Sequence, residues 1–180
     1  MLKVLVFMPV LGAVAVALLP VARALWLWRV AMFFALATLG YALWLAAGFD
    51  PAGPAIQFHE SRPWNVRLGS YFALGIDGIA LAMVLLAALL SLIAVLVSRR
   101  MEAGARLYFT LVLLLESAML GVFTARDWSL FYVFWEATLL PLFFLIDRLG
   151  GPNRQRAALN FFLYTLGGSV FMLVSLLFLY

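Results

Sequence analysis

LYFTLVLLLESAMLGVFTARDWSLFYVFWEATLLPLFFLI, residues Leu107–Ile146, contains two apolar runs parted by one short polar turn, Arg126-Asp127, with a single glutamate inside each run, Glu116 and Glu136. Each run approaches the roughly 20 residues that a helix needs to cross a bilayer. Only a helix satisfies its own backbone groups in lipid. The stretch therefore reads as an antiparallel transmembrane helical hairpin, and the two glutamates are its costly feature. On insertion scales a central acid costs roughly 3 kcal/mol and a leucine returns about half a kcal/mol. Each glutamate thus offsets about six leucines.

Glu116 lies ten residues before Arg126 and Glu136 ten residues after it. In such a hairpin equal distances mean equal depth. At 1.5 Å per residue both carboxyls stand roughly 15 Å from the turn, near the bilayer midplane. The spacing predicts a facing pair of buried acids able to trade protons. Pro141, five residues after Glu136, removes the hydrogen bond to the Ala137 carbonyl and predicts a kink there. A freed carbonyl beside an acid is a place for water. A purely structural role, two protonated acids bonding between helices, contributes about 0.6–2 kcal/mol each. That hardly offsets insertion, and serine or threonine would do it at lower cost.

The rest of the chain has the same character. Its 180 residues are 67% hydrophobic and 11% charged, and the mean hydropathy is +1.12, which marks an integral membrane protein. Further spans are expected at Leu2–Leu19, Val30–Ala47, Ile76–Ser98 and Ala157–Tyr180, beside Leu107–Thr124 and Trp128–Ile146, giving six transmembrane helices. The first could be a signal peptide, since Lys3 forms an n-region and Ala22-Arg23-Ala24 looks like a cleavage site. Its run, however, exceeds the usual h-region of about 7–15 residues, so it is read as a span. There are no cysteines, so disulfides, thiolate metal sites and iron–sulfur ligation are excluded. His59 is the single histidine. No Walker loop, GxGxxG, HExxH or glycosylation sequon occurs.

Basic residues set the orientation. Lys3, Arg62, Arg67 and Arg126 fall on one side. Arg23, Arg29, Arg99, Arg100, Arg106, Arg148, Arg154 and Arg156 fall on the other. The richer side is expected to be cytoplasmic, with the N-terminus opposite, and Trp26 and Trp28 read as interfacial anchors. The one sizeable loop, Gly48 to Gly75, has too many prolines and glycines for a helix. Ile56, Phe58, Val66 and Leu68 hint at short extended pieces there, and His59 and Glu60 read as solvated. Asp77, at the mouth of the third helix, is divided evenly between helix cap and functional acid. Asp147 and Arg148 read as an interfacial ion pair, and Gly167, Gly168 and Ser169 as a site of close helix approach. Tyr180 closes an apolar run with no polar tail, which suggests a fragment, a truncated gene or one piece of a split subunit.

The run Phe131-Tyr132-Val133-Phe134-Trp135-Glu136-Ala137-Thr138-Leu139-Leu140-Pro141 resembles the signature of the antiporter-like membrane subunits of respiratory complex I. The likeness is closest to the subunit M branch of bacterial NADH-quinone oxidoreductase, counterpart of mitochondrial subunit 4. Several further motifs are similar, in the same order. They are Gly75-Ile76-Asp77-Gly78, Glu116 with Met119-Leu120-Gly121-Val122-Phe123, Gly150-Gly151, and Phe161-Phe162-Leu163-Tyr164-Thr165-Leu166 with Gly168-Ser169. The likeness runs from about Gly75 to Tyr180.

This resemblance implies the N-terminal part of an all-α, inverted-repeat subunit. Residues 1–74 form two helices and a non-cytoplasmic loop, and residues 75–180 begin the proton-translocating domain. It implies Glu136 as the proton-transfer acid that pairs with a lysine on a broken helix, Glu116 as a second acid toward a neighbouring subunit, and Pro141 and Asp77 in support. Family members have about fourteen helices, and Lys3 is the only lysine here, so the pairing lysine and the remaining helices are expected in cis or from another chain. The expected function is proton translocation within a membrane NADH:quinone oxidoreductase of the bacterial inner membrane. FMN, iron–sulfur clusters and quinone belong to other subunits, no cofactor or metal to this one, and the partners are other membrane subunits and the lipid. The alternatives are a subunit of a multi-subunit cation/proton antiporter or membrane-bound hydrogenase, or a non-transporting membrane scaffold.

Overall fold

A computed structural model of the protein describes residues 1–20, 23–65 and 69–179. Six helices follow in order: α1 Leu2–Leu18, α2 Ala24–Ala47, α3 Gly78–Val97, α4 Ala105–Thr124, α5 Trp128–Leu149 and α6 Arg154–Leu179. Between α2 and α3 lie two strands, β1 Gln57–Asn65 and β2 Ser70–Ile76. A short 3₁₀ turn, Ser98–Arg100, ends α3. Five helices are long and apolar enough to cross a membrane, and α1, at 17 residues, is a shorter apolar helix. The expected six-helix membrane architecture stands, with shifted ends. α2 begins at Ala24, not Val30, because the Arg29 guanidinium lies 4.9 Å from the Trp26 ring and so keeps its charge in an aromatic, interfacial setting while the backbone stays helical.

α1 sits between α2 and α4, with Leu2, Leu5, Val6, Pro9, Gly12, Ala13 and Val16 buried. Apolar residues from α1 to α4 build two cores. One lies toward the strands and joins Leu5 and Val6 to Leu45, Leu74, Val84 and Leu120. The other lies toward the opposite end and joins Val16 to Ala31, Ala35, Val95, Phe109 and Leu113. α5 packs on α4, and α6 packs on α5. Gly121 makes the α4–α5 approach close, since a Cβ there would run into the Phe134 ring.

The Gly48–Gly75 loop is more ordered than extended pieces. β1 and β2 form an antiparallel hairpin with irregular register between Gln57 and Glu60 and between Pro63 and Asn65. Ile76 ends β2, so α3 starts two residues later than Ile76, after the Asp77 cap. Val66, Arg67 and Leu68, like Ala22 of the cleavage motif and the terminal Tyr180, lie outside the described residues. Phe58, at the first irregularity, takes φ +53° and packs against the strand-side core, a backbone conformation uncommon for a bulky residue.

The hairpin is fastened to the α4–α5 turn. Leu74 bridges Ala125, and Arg126 N–H donates to the Ala73 carbonyl at 2.8 Å. Asp127 caps α5 through Ser129 and Leu130 N–H groups, and its other oxygen accepts from Tyr71 N–H at 3.1 Å. The hairpin also holds α1. The Glu60 carboxylate accepts from Leu2 N–H at 2.9 Å and meets the Met1 ammonium and, at 3.8 Å, the Lys3 Nζ. Glu60 is thus a cap for α1, not a solvated loop residue; His59 beside it is exposed.

Candidate functional site

Glu116 stands eight residues before the end of α4 (124 − 116) and Glu136 eight residues after the start of α5 (136 − 128). At 1.5 Å per residue each lies about 12 Å from its helix end, so they share a depth. They do not share a face. Phe109, Leu113, Glu116 and Leu120 recur at spacings of four, three and four along one side of α4, the pattern of a single helix face. Phe109 and Leu113 sit in one core among α1, α2 and α3, and Leu120 in the other. Glu116 therefore points into the four-helix core, fully buried. Both its carboxyl oxygens lack a hydrogen-bond partner among the described residues.

The face of α4 turned to α5 is a different one. Leu111, Leu114 and Ala118 line an open cavity of about 470 Å³ with Phe134, Ala137 and Pro141 of α5 and with Phe7 and Val10 of α1. Glu136 is not on that side of α5. Tyr132, Glu136, Leu139 and Phe143 form the row turned to α6. Phe143 meets Phe162 edge-on with centroids 5.5 Å apart, and Tyr132 lies near both Glu136 and Ser169 of α6. Glu136 Oε1 is enclosed without a partner among the described residues. The expectation of two acids facing each other fails, because depth follows from counting along the chain whereas direction around the axis is set by which helices pack on which side.

Pro141 is buried within a continuous α5 and lines the α1–α4–α5 cavity, away from the row that carries Glu136. A second proline, Pro9, lies inside α1. Asp77 is a helix cap. It accepts from Ala80 N–H at 2.7 Å, and its other oxygen lies 2.8 Å from Arg126 Nη2, an ion pair off the hydrogen-bonding direction of that nitrogen. The Ala80 amide, then Arg126, hold its carboxyl below the ordinary range. Asp147 and Arg148 form the expected pair at 3.1 Å. A Cβ at Gly167 or Gly168 would meet nothing within 4 Å, whereas Ser169 of the same motif is buried. Trp28, one of the two anchors, donates its Nε1–H to the Val95 carbonyl at 2.9 Å, and Arg99 lies 5.3 Å from its ring. No group of three or more acidic, histidine or cysteine side chains able to hold a metal occurs among the described residues. Tyr132 escaped the sequence reading although its position, one turn before Glu136, was the available signal.

Residues 125–180 match the family described as NADH:quinone oxidoreductase/Mrp antiporter, TM. The whole chain is 39% identical over 185 aligned residues to NADH-quinone oxidoreductase subunit M of Rhodobacter capsulatus, of which it covers 36%. Over 78% of its length it is 41% identical to F(420)H(2) dehydrogenase subunit M of Methanosarcina mazei, covering 29% of that protein. Its fold superposes on a chain of respiratory complex I from Thermus thermophilus with bound NADH, with a TM-score of 0.84, 33% identity, and coverage of 98% of this chain and 35% of that one. The chain thus spans about a third of the length of the curated relatives it matches.

Proposed function

Because the chain belongs to the antiporter-like membrane subunits of NADH:quinone oxidoreductases and Mrp antiporters, we propose that it is the N-terminal part of a proton-translocating subunit of a bacterial NADH:quinone oxidoreductase. Glu136 takes up and releases the proton. The observation that carries this reading is a carboxyl at mid-depth of a membrane helix, with one oxygen enclosed and without a partner among the described residues. An acid in that position is kept at a cost of several leucines' worth of insertion energy and is functional by default.

The chemistry is electrostatic. Glu136 is stabilised as an anion by a cation from outside these 180 residues, since Lys3, the only lysine, lies at the first helix's start. Withdrawing that cation favours the neutral acid and draws in a proton; returning it expels the proton. Glu116, directed into the α1–α4 core, serves a separate step and couples through the packed helices or an adjacent subunit. This chain carries no redox step. FMN, iron–sulfur clusters and quinone reside in partner subunits, and the arginine-rich end faces the cytoplasm, with the β-hairpin on the far side of the inner membrane.

Replacing Glu136 with Gln in the full-length subunit tests the reading. The complex is expected to assemble and to lose proton translocation in sealed vesicles. An assembled variant that pumps normally overturns the role.

A further inference from the structure

A pocket of about 530 Å³ lies where α2 begins and α3 ends, at the arginine-rich end of the helices. Ala24 and Leu25 of α2 form one wall, and Arg99, Arg100, Met101 and Glu102 form the other. The two walls are tied together. Trp28 Nε1–H donates to the Val95 carbonyl at 2.9 Å and joins the start of α2 to the last turn of α3. Arg99 then lies 5.3 Å from the Trp28 ring, and the 3₁₀ turn Ser98–Arg100 sets Arg100 next to it.

The charges of this pocket do not balance. Neither Arg99 nor Arg100 forms an ion pair among the described residues, and Glu102 is the one acid of the wall against two guanidinium groups. α2 opens into the pocket with Arg23 as its N-cap and no side-chain cap hydrogen bond, so the positive end of its dipole adds to the surplus. The last carbonyls of α3 act the other way, but only as a fraction of a unit charge. Guanidinium forks beside the first amides of a helix suit a phosphate group.

Apolar surface continues from the pocket into the membrane. Leu25, Leu96 and Val97 are exposed on the same two helices, and Leu96 and Val97 stand within one turn of Arg99. Trp26 is exposed beside them in α2, with the Arg29 guanidinium 4.9 Å from its ring, an interfacial pairing. A free phosphate makes no use of that apolar surface, whereas acyl chains do. A basic pocket between helices at the membrane boundary is the form that anionic headgroup sites take.

We propose that this pocket binds an anionic phospholipid. Arg99 and Arg100 hold the phosphodiester, and the acyl chains run along Leu25, Leu96 and Val97. Zwitterionic lipids bring the same phosphate together with a cation, which the surplus positive charge disfavours. The site is independent of the proton chemistry assigned to Glu136.

Photolabelling of the assembled, full-length complex, exchanged into phosphatidylcholine vesicles, tests this. A trace of phosphatidylglycerol or of phosphatidylcholine carries a diazirine in its acyl chain, and the labelled peptides are mapped. The phosphatidylglycerol probe is expected to label the peptides around Leu25 and Leu96–Val97 several-fold more than the phosphatidylcholine probe, and added salt to narrow the difference. Arg99→Gln and Arg100→Gln are each expected to cut that preference several-fold, and the double variant to abolish it. Equal labelling by the two probes, or a preference that survives the double variant, overturns the proposal. So does loss of the phosphatidylglycerol label on adding inorganic phosphate at constant ionic strength, which would make free phosphate the ligand. Absence of label from both probes overturns it too, since a protein segment would then cover the pocket. The wild-type comparison decides should a variant fail to assemble.

Discussion

Arg126 and Asp77 join three parts of the fold. The Arg126 backbone adds to the edge of β2 through Ala73, its Nε donates to the Gly75 carbonyl at 3.3 Å, and its Nη2 lies 2.8 Å from the Asp77 carboxylate that caps α3. The turn between the two glutamate-bearing helices is therefore set by the hairpin, and the start of α3 is set with it.

Asp77→Ala is expected to destabilise the protein by about 1 kcal/mol, the usual worth of an N-cap. The ion pair adds less than that, because the Asp77 side chain is 37% exposed. The carboxyl is held below its ordinary value, so its contribution is complete above the unfolded-state value near 4 and is lost as the pH falls through the folded-state value. Thermal unfolding in detergent, followed from about pH 6 downward, should show a steeper acid loss for the wild type than for Asp77→Ala. Parallel curves would refute the linkage.

Glu116 has two buried oxygens with no partner among the described residues, which costs about 1–3 kcal/mol of desolvation. Glu116→Leu should accordingly raise the unfolding midpoint in detergent, while proton translocation by the complex falls. A leucine variant less stable than the wild type would mean that the carboxyl has partners in the folded protein.

Gly121→Ala places a methyl group against the Phe134 ring. Overpacking of this kind typically costs about 1–3 kcal/mol. Adding Phe134→Leu should return most of the loss, and the coupling is read from the two single variants and the double. Additive effects would show that the helices do not approach at this point.

Glu60→Gln should loosen the start of α1 without touching either membrane acid. Burial pushes the Glu60 carboxyl up, but the Met1 ammonium, the Leu2 amide and Lys3 together hold it below its ordinary value. This anchoring also weakens as the pH falls through that depressed value. Hydrogen exchange at the first turn of α1 is expected to quicken several-fold in the variant above pH 5. An unchanged rate would show that the hairpin does not secure this helix.

The sequence was most legible where physics acts along one dimension. Hydropathy located the helices, and equal residue counts from Arg126 placed both acids at one level, as their positions eight residues from their helix ends agree. Direction around a helix axis was not legible, since it depends on partners far along the chain. Glu116 turns inward because Phe109, Leu113 and Leu120 on its face are covered by α1 to α3. Glu136 turns outward because α6 covers the Tyr132–Phe143 row. The hairpin was hidden for a related reason. β2 also pairs with the distant Ala125, and Pro63 with the irregular register of β1 masks its alternation.

The buried bond from Ser117 Oγ to the Val6 carbonyl, 2.7 Å long and spanning 111 residues, bears on how the protein is made. α1 has its principal seat on α4, so after insertion α1 must wait in the bilayer, with an incomplete set of neighbours, until α4 has been synthesised. Biogenesis of this region then falls into two stages, insertion first and consolidation later, and a translation pause placed before residue 105 would lengthen the interval in which quality-control proteases meet an unassembled first helix.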